Sequence, residues 1–296
     1  MTVRPSPPGR FGPGELRLAL TAPRPAAGLT SDFRQIAGLR THTRLASPDG
    51  DGPPVVLVHG LAVSHRYFTP LASALAPRHP VYVPDLPGFG LTERPATAYD
   101  VSRHAAFLAD WLAAYRPGPV CLLGHSFGAE VAAALAADRP DLVAALVLAG
   151  PTSDPAARSR RGQIGRWLRA ALWEAKWQAP ILLRDAVDAR PWRVLATVSH
   201  SVRNAIEEDL VHVTAPTLVL AGTRDHVAPA AWLAQVAALL PDARLVTVPG
   251  ASHNVVTTAP GPVAEALHTL LTPQGADPCV SGTPRSGPPA AASAAY

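Results

Sequence analysis

The chain of 296 residues contains one lysine, Lys176, and two cysteines. With lysine almost absent, the net charge of +4 and the pI near 9.5 come from arginine. The arginines are spread along the chain, with one local group at Arg158, Arg160, Arg161, Arg166 and Arg169. A nucleic-acid surface would need a basic stripe within a recognisable module. None is present, so no nucleic-acid partner is expected, and the arginine group reads as a solvated face. Cys121 lies in an apolar run and Cys279 in a Pro/Gly/Ser-rich stretch. That is no disulfide framework, and it suits a reducing cytoplasm. No run of about 18 uninterrupted apolar residues occurs, which argues against a membrane span. The opening stretch MTVRPSPPGRFGPGELRLAL holds several prolines and no long apolar region. It reads as carrying no secretory signal, and a cytoplasmic location is expected. There are no internal repeats.

What is present is an alternation. At 48% hydrophobic the chain can bury a sizeable core. Residues 1 to about 28 and the tail 273–296 are rich in Pro, Gly and small or polar residues and are expected to be disordered. Between them lie short apolar runs bounded by Gly, Pro, Asp or Asn: Val55–Val58, Val81–Val83, Val120–Leu123, Ala145–Leu148, Thr217–Leu220 and Leu245–Val248. Each reads as a strand buried on both faces. His104–Tyr115, Ala129–Ala137, Ala230–Leu239 and Val263–Leu271 read as helices between or after them. Strand, helix, strand in succession implies crossover units and a mostly parallel sheet flanked by helices, an α/β fold. Leu39–Leu45 alternates and reads as an antiparallel edge strand. From about Thr152 to Val213 no clean strand occurs. This interval is helical and holds four of the six tryptophans, Trp167, Trp173, Trp177 and Trp192. The expected division is therefore a core over 29–151 and 214–272, with a helical insertion over 152–213.

The stretch LLGHSFGAE places Ser126 between Gly124 and Gly128. A strand precedes it (VCLLG) and a helix follows (AEVAAALAAD), the context a strained strand-to-helix turn needs to expose a hydroxyl. The helix start also favours a developing negative charge near the serine. Serine alone is a poor nucleophile and needs a base held by an acid. Asp225 in TLVLAGTRDHVAP lies 99 residues on, and His253 in LVTVPGASHNV a further 28. Both follow strands, at the end of the sheet where ligands bind. The order Ser, Asp, His matches this turn type. An oxyanion would be held by the backbone N–H of Phe127, after the serine, and that of Leu61 in the turn of VLVHGLAVSH.

With these elements in view, the sequence resembles the α/β-hydrolase superfamily over roughly residues 39–271. The motifs that carry the likeness are LVHGLA, VPDLPGFGLTERP, LLGHSFGAE, LAGTRDHVAP and PGASHNV. They are specific for the superfamily, not for a substrate. One departure is Ala129, where many members have a second glycine. The resemblance implies a mostly parallel, eight-stranded-type sheet, with the insertion as a cap or lid. It also implies that His59 is structural in the oxyanion turn and that Asp85 is a scaffold residue. Asp154 is the rival acid, because some members place theirs after the preceding strand. A serine rather than an aspartate nucleophile argues against dehalogenase and epoxide-hydrolase chemistry.

The reading is a serine hydrolase acting through an acyl-enzyme, with a carboxylesterase for small to medium apolar esters as the expected activity. The same triad serves carbon–carbon bond and lactone hydrolysis, amide cleavage and peracid formation. A small-molecule binding protein with little turnover is the alternative of another class. His125 and the tryptophans Trp167, Trp173, Trp177 and Trp192 are candidates for the substrate pocket. His200 reads as packed or solvated. No cofactor and no metal are expected, and the partner is a small-molecule substrate.

Overall fold

A computed structural model describes residues 28–46, 51–115 and 117–272. The stretch before residue 28 and the tail 273–296, with Cys279, lie outside the described residues.

The strands are β1 (Thr30–Ile36), β2 (Leu39–Ala46), β3 (Val55–Val58), β4 (Val81–Pro84), β5 (Val120–His125), β6 (Val143–Ala149), β7 (Thr217–Gly222) and β8 (Ala243–Val248). They form one sheet in the order β1-β2-β4-β3-β5-β6-β7-β8. β1 pairs antiparallel with β2, and β2 with β4. All remaining neighbours are parallel. The six apolar runs are β3 to β8.

Two expectations need correction. Leu39–Leu45 is antiparallel but is not an edge, because β1 lies outside it. β1, with the sequence TSDFRQI, is exposed at most positions and carries no apolar alternation to reveal it. β8 was expected to be buried on both faces. It is the opposite outer strand instead, and Leu245 is exposed.

The helices are α1 (Thr69–Leu75), α2 (Val101–Tyr115), α3 (Phe127–Asp138), α4 (Arg160–Ala171), α5 (Ala179–Asp188), α6 (Pro191–Ser201), α7 (Ile206–Leu210), α8 (Ala230–Leu239), α9 (Val255–Thr258) and α10 (Pro260–Leu271). Side chains on a strand alternate between faces, so each central strand feeds two cores. Val56 and Val58 of β3, Leu122 of β5 and Leu146 of β6 join Trp111, Phe127 and Trp232 on one side. Val55, Leu57, Leu123 and Val147 join Leu71, Leu75, Val263 and Leu267 on the other. Continuous apolar runs are what burial on both faces requires.

Helices α4 to α7 all fall between β6 and β7. Buried polar links tie this insertion to the rest of the chain. Glu130 of α3 accepts from Thr152 and Ser201 Oγ, each at 2.6 Å, and from Asn204 Nδ2 at 3.1 Å. Asp185 of α5 accepts from Ser64 Oγ at 2.8 Å and pairs with Arg66. Such buried groups need partners, and their geometry fixes where the insertion sits.

Candidate active site

Ser126 sits between the end of β5 and the start of α3 with φ 56° and ψ −122°. A positive φ is strained for a residue with a Cβ. The flanking glycines are required by close approach. A Cβ on Gly124 would collide with the Gly128 carbonyl, and one on Gly128 with the Val58 and His59 carbonyls. The turn is closed by the Ser126 N–H donating to Ala149 O at 2.9 Å.

Ser126 Oγ lies 2.9 Å from His253 Nε2. His253 Nδ1–H donates to Asp225 Oδ2 at 2.9 Å. The other carboxylate oxygen, Oδ1, accepts from the N–H groups of Val227 at 2.8 Å and Ala228 at 2.9 Å. All three side chains are buried. Burial opposes the charge on Asp225, but the His253 imidazole and the two amides outweigh it and hold the carboxyl below its ordinary range. Burial also pulls the His253 imidazole down. Asp225 first, and Glu174 further off, overcome it and set the imidazole above its ordinary value.

The second anchor of the site is His125. Burial, reinforced by the neighbouring His253, pushes its imidazole down to about 3, so the ring is neutral. Its Nε2–H donates to His253 O at 2.9 Å, and its Nδ1 accepts from Tyr67 O–H at 2.9 Å. Tyr67 in turn accepts the Gly60 N–H at 3.0 Å. One chain of hydrogen bonds thus links the turn after β3, the serine turn and the histidine loop. In the same turn, buried His59 donates from Nδ1 to Gly60 O at 2.8 Å and accepts the Leu86 N–H on Nε2 at 2.9 Å. The Leu61 and Phe127 amides, at that turn and at the start of α3, find no protein acceptor among the described residues.

These groups face a cleft of about 270 Å³ lined by Gly60, Leu61, Val63, His125, Ser126 and His253 on the core side. The insertion contributes Trp167, Ala170, Ala171, Glu174, Leu182 and Ala186.

A sequence profile of the alpha/beta hydrolase family matches residues 55–266. The chain belongs to this family. It is 29% identical over 248 residues to a 2-(acetamidomethylene)succinate hydrolase of Mesorhizobium japonicum, across 75% of this chain and 89% of that one. It is equally 29% identical over 248 residues to a pimeloyl-[acyl-carrier protein] methyl ester esterase of Xanthomonas campestris, across 75% and 96%. A solved structure of a thermophilic esterase from Thermogutta terrifontis superposes with a TM-score of 0.69 at 23% identity, over 82% of this chain and all of that one.

Within this α/β hydrolase, the tryptophans separate. Only Trp167 of the four lines the cleft among the described residues. Trp173 is 54% exposed and packs near His226 and under Arg224. Trp177 packs on Ile181. Trp192 is 49% exposed beneath Arg193. Their place in the pocket is therefore corrected: Trp173 meets the core loop after β7, Trp177 fills a contact within the insertion, and Trp192 lies on its outer surface. His200 also lies outside the cleft lining and contacts Arg203. Asp154 does not meet His253. It caps a turn through the Ala156 N–H at 2.8 Å and pairs with Arg166 at 2.6 Å. Arg158 pairs with Glu207, while Arg160, Arg161 and Arg169 are exposed.

Among the described residues, one group has donor atoms close enough to hold a metal ion: His42, His65 and Asp85. Its contacts are those of hydrogen bonds. Asp85 Oδ2 lies 2.8 Å from each imidazole Nδ1 and 2.9 Å from the Leu91 N–H, and Oδ1 takes the His65 N–H at 2.8 Å. None of the three lines the cleft. Sequence reading missed Tyr67 and Glu174. The signal for Glu174 was its spacing, since Trp167, Ala170, Ala171 and Glu174 follow i, i+3, i+4, i+7 on one helical face.

Proposed function

We propose that this chain is a serine hydrolase that cleaves small to medium apolar carboxylic esters through an acyl-enzyme. The observation that carries the reading is the unbroken chain from Asp225 through His253 to Ser126, with 2.9 Å at both contacts, at the wall of an apolar cleft.

His253 takes the Ser126 proton as Oγ attacks the ester carbonyl. Asp225 holds the Nδ1–H tautomer and stabilises the imidazolium. The free amides of Leu61 and Phe127 receive the oxyanion, and losing one such donor costs about 2.7–4 kcal/mol of transition-state stabilisation. The imidazolium then protonates the leaving alcohol. Water, deprotonated by His253, attacks the acyl carbonyl, and the acid leaves as the imidazolium returns the proton to Ser126 Oγ.

The helical insertion over 152–213 is read as the cap of the site, because it supplies one wall of the cleft. The cleft lies just under the usual range of about 300–1,000 Å³ for small-molecule sites, which favours compact acyl chains. An acid-bearing substrate of the succinate kind named for the Mesorhizobium relative would enter a cleft whose lining, among the described residues, holds no arginine or lysine. A cytoplasmic setting accords with the buried free thiol of Cys121. Among the described residues, no helix is long and apolar enough to cross a membrane.

The test is a panel of p-nitrophenyl esters from about two to twelve carbons, given to the wild type and to Ser126→Ala. Activity peaking at one chain length and lost in the variant is expected. Equal rates in the two proteins would remove Ser126 as nucleophile.

A further inference from the structure

We propose that Glu174 and Trp167 make the cleft a cation-accepting site, so that among esters with an apolar acyl chain those whose chain ends in a protonated or quaternary amine are preferred and carboxylate-bearing esters are rejected. The substrate class named here rests on the serine-hydrolase reading; the charge preference itself does not.

The first observation is position. Trp167, Ala170, Ala171 and Glu174 form one face of α4 and the turn after it, and all four line the cleft with Ser126 and His253. The Glu174 N–H still bonds to Ala170 O at 3.2 Å, so the helical face continues to the carboxylate. The second observation is charge. Among the described residues the lining contains no lysine or arginine, and His125 is held neutral by its burial. In the form with neutral His253 that proton abstraction requires, Glu174 is the one formally charged group on the lining among the described residues.

The third observation is vacancy in its hydrogen bonding. Oε1 accepts the Asn254 N–H at 3.0 Å, and Oε2 accepts from Gln178 Nε2 at 3.3 Å. Both donors are neutral. A carboxylate offers about four acceptor positions, so a protonated amine has sites left, while a quaternary ammonium meets the carboxylate through charge alone. A charge entering an otherwise apolar cleft needs a counter-charge. Trp167 adds an aromatic wall, and an indole face attracts alkylammonium groups.

The effect is electrostatic and large enough to measure. Unit charges about 6 Å apart at an effective dielectric near 20 give about 100-fold between a charged and a neutral substrate, and about the square of that between opposite charges.

The experiment compares p-nitrophenyl esters of hexanoate, 6-(trimethylammonio)hexanoate and the adipate monoester on the wild type and Glu174→Gln. In parallel, the three corresponding methyl esters are titrated into Ser126→Ala, which retains Glu174, by calorimetry. The expected order in kcat/KM and in binding is cationic, then neutral, then anionic. In Glu174→Gln the ratios collapse to within about threefold. An order that persists in Glu174→Gln overturns the proposal, as does equal or anion-favouring binding to Ser126→Ala, or no binding of any of the three. If no ester is turned over but the methyl esters bind in the stated order, the hydrolase reading fails and the cation site stands.

Discussion

Replacing Asp225 by asparagine should cripple the site through a proton position rather than through lost packing. Asp225 Oδ1 is fixed by two amide donors, Val227 N–H and Ala228 N–H. Asparagine can satisfy both only by turning its carbonyl oxygen toward them. Its NH₂ group then points at His253 Nδ1, where Oδ2 now accepts at 2.9 Å. His253 must then accept at Nδ1 and carry its proton on Nε2, the nitrogen that faces Ser126 Oγ. In that tautomer it cannot take the serine proton. A wrong-tautomer triad of this kind loses about 10⁴-fold in kcat, or about 5 kcal/mol at 1.36 kcal/mol per tenfold. The assay is kcat on the best p-nitrophenyl ester, with circular dichroism to establish that the variant is folded. A folded Asp225→Asn retaining activity within about tenfold of wild type would refute the tautomer argument.

Three further outcomes follow from other parts of the structure. Burial lifts the Glu130 carboxyl to about 7, with the Ser201 and Thr152 hydroxyls only partly restraining the shift. The folded state thus holds this proton more tightly than the unfolded chain. Its contribution to stability is complete below about pH 4.5 and is lost as pH rises through about 7. At about 1.4 kcal/mol per pKa unit this is about 3 kcal/mol. Denaturant melts of the wild type and Glu130→Gln across this window should converge at low pH and diverge in favour of glutamine at high pH; parallel curves would refute the assignment. His253 faces Asp225, Ser126, His125 and Glu174. Since Glu174 helps to raise the imidazole, Glu174→Gln should move the acid limb of the kcat/KM profile to lower pH; an unmoved limb would show that the carboxylate is too well screened to matter. Trp167→Ala should shift the ester chain-length optimum upward by opening the cleft, while Trp192→Ala, on the outer surface, should leave it in place. The ester panel reads both, and a shift in Trp192→Ala alone would reverse the assignment.

Parts of the molecule governed by local rules could be read from sequence. Gly124 is dictated by a turn only a few residues long; Gly128, which the Val58 and His59 carbonyls approach, was legible because it belongs to the same short motif. The strands β3 to β7 announce themselves as apolar runs because both their faces are covered. Asp225 and His253 follow their strands within the same short stretches. What could not be read depends on contacts made at long range. TSDFRQI became a strand only because β2 lies beside it, and its exposed residues leave no alternation. The four tryptophans of the insertion look alike in sequence; only the packing of α4 to α6 decides that Trp167 alone among them lines the cleft. Tyr67 meets His125 from 58 residues away, and Glu174 meets Asn254 from 80 away. Neither pairing has a local signature.

The most direct test of the central claim is to react the protein with an alkyl fluorophosphonate and map the adduct by peptide mass spectrometry. The account predicts a single adduct on the peptide containing Ser126, absent in Ser126→Ala and formed far more slowly in Asp225→Asn. Equal labelling of Ser126→Ala, or an adduct on another residue of the wild type, would contradict it.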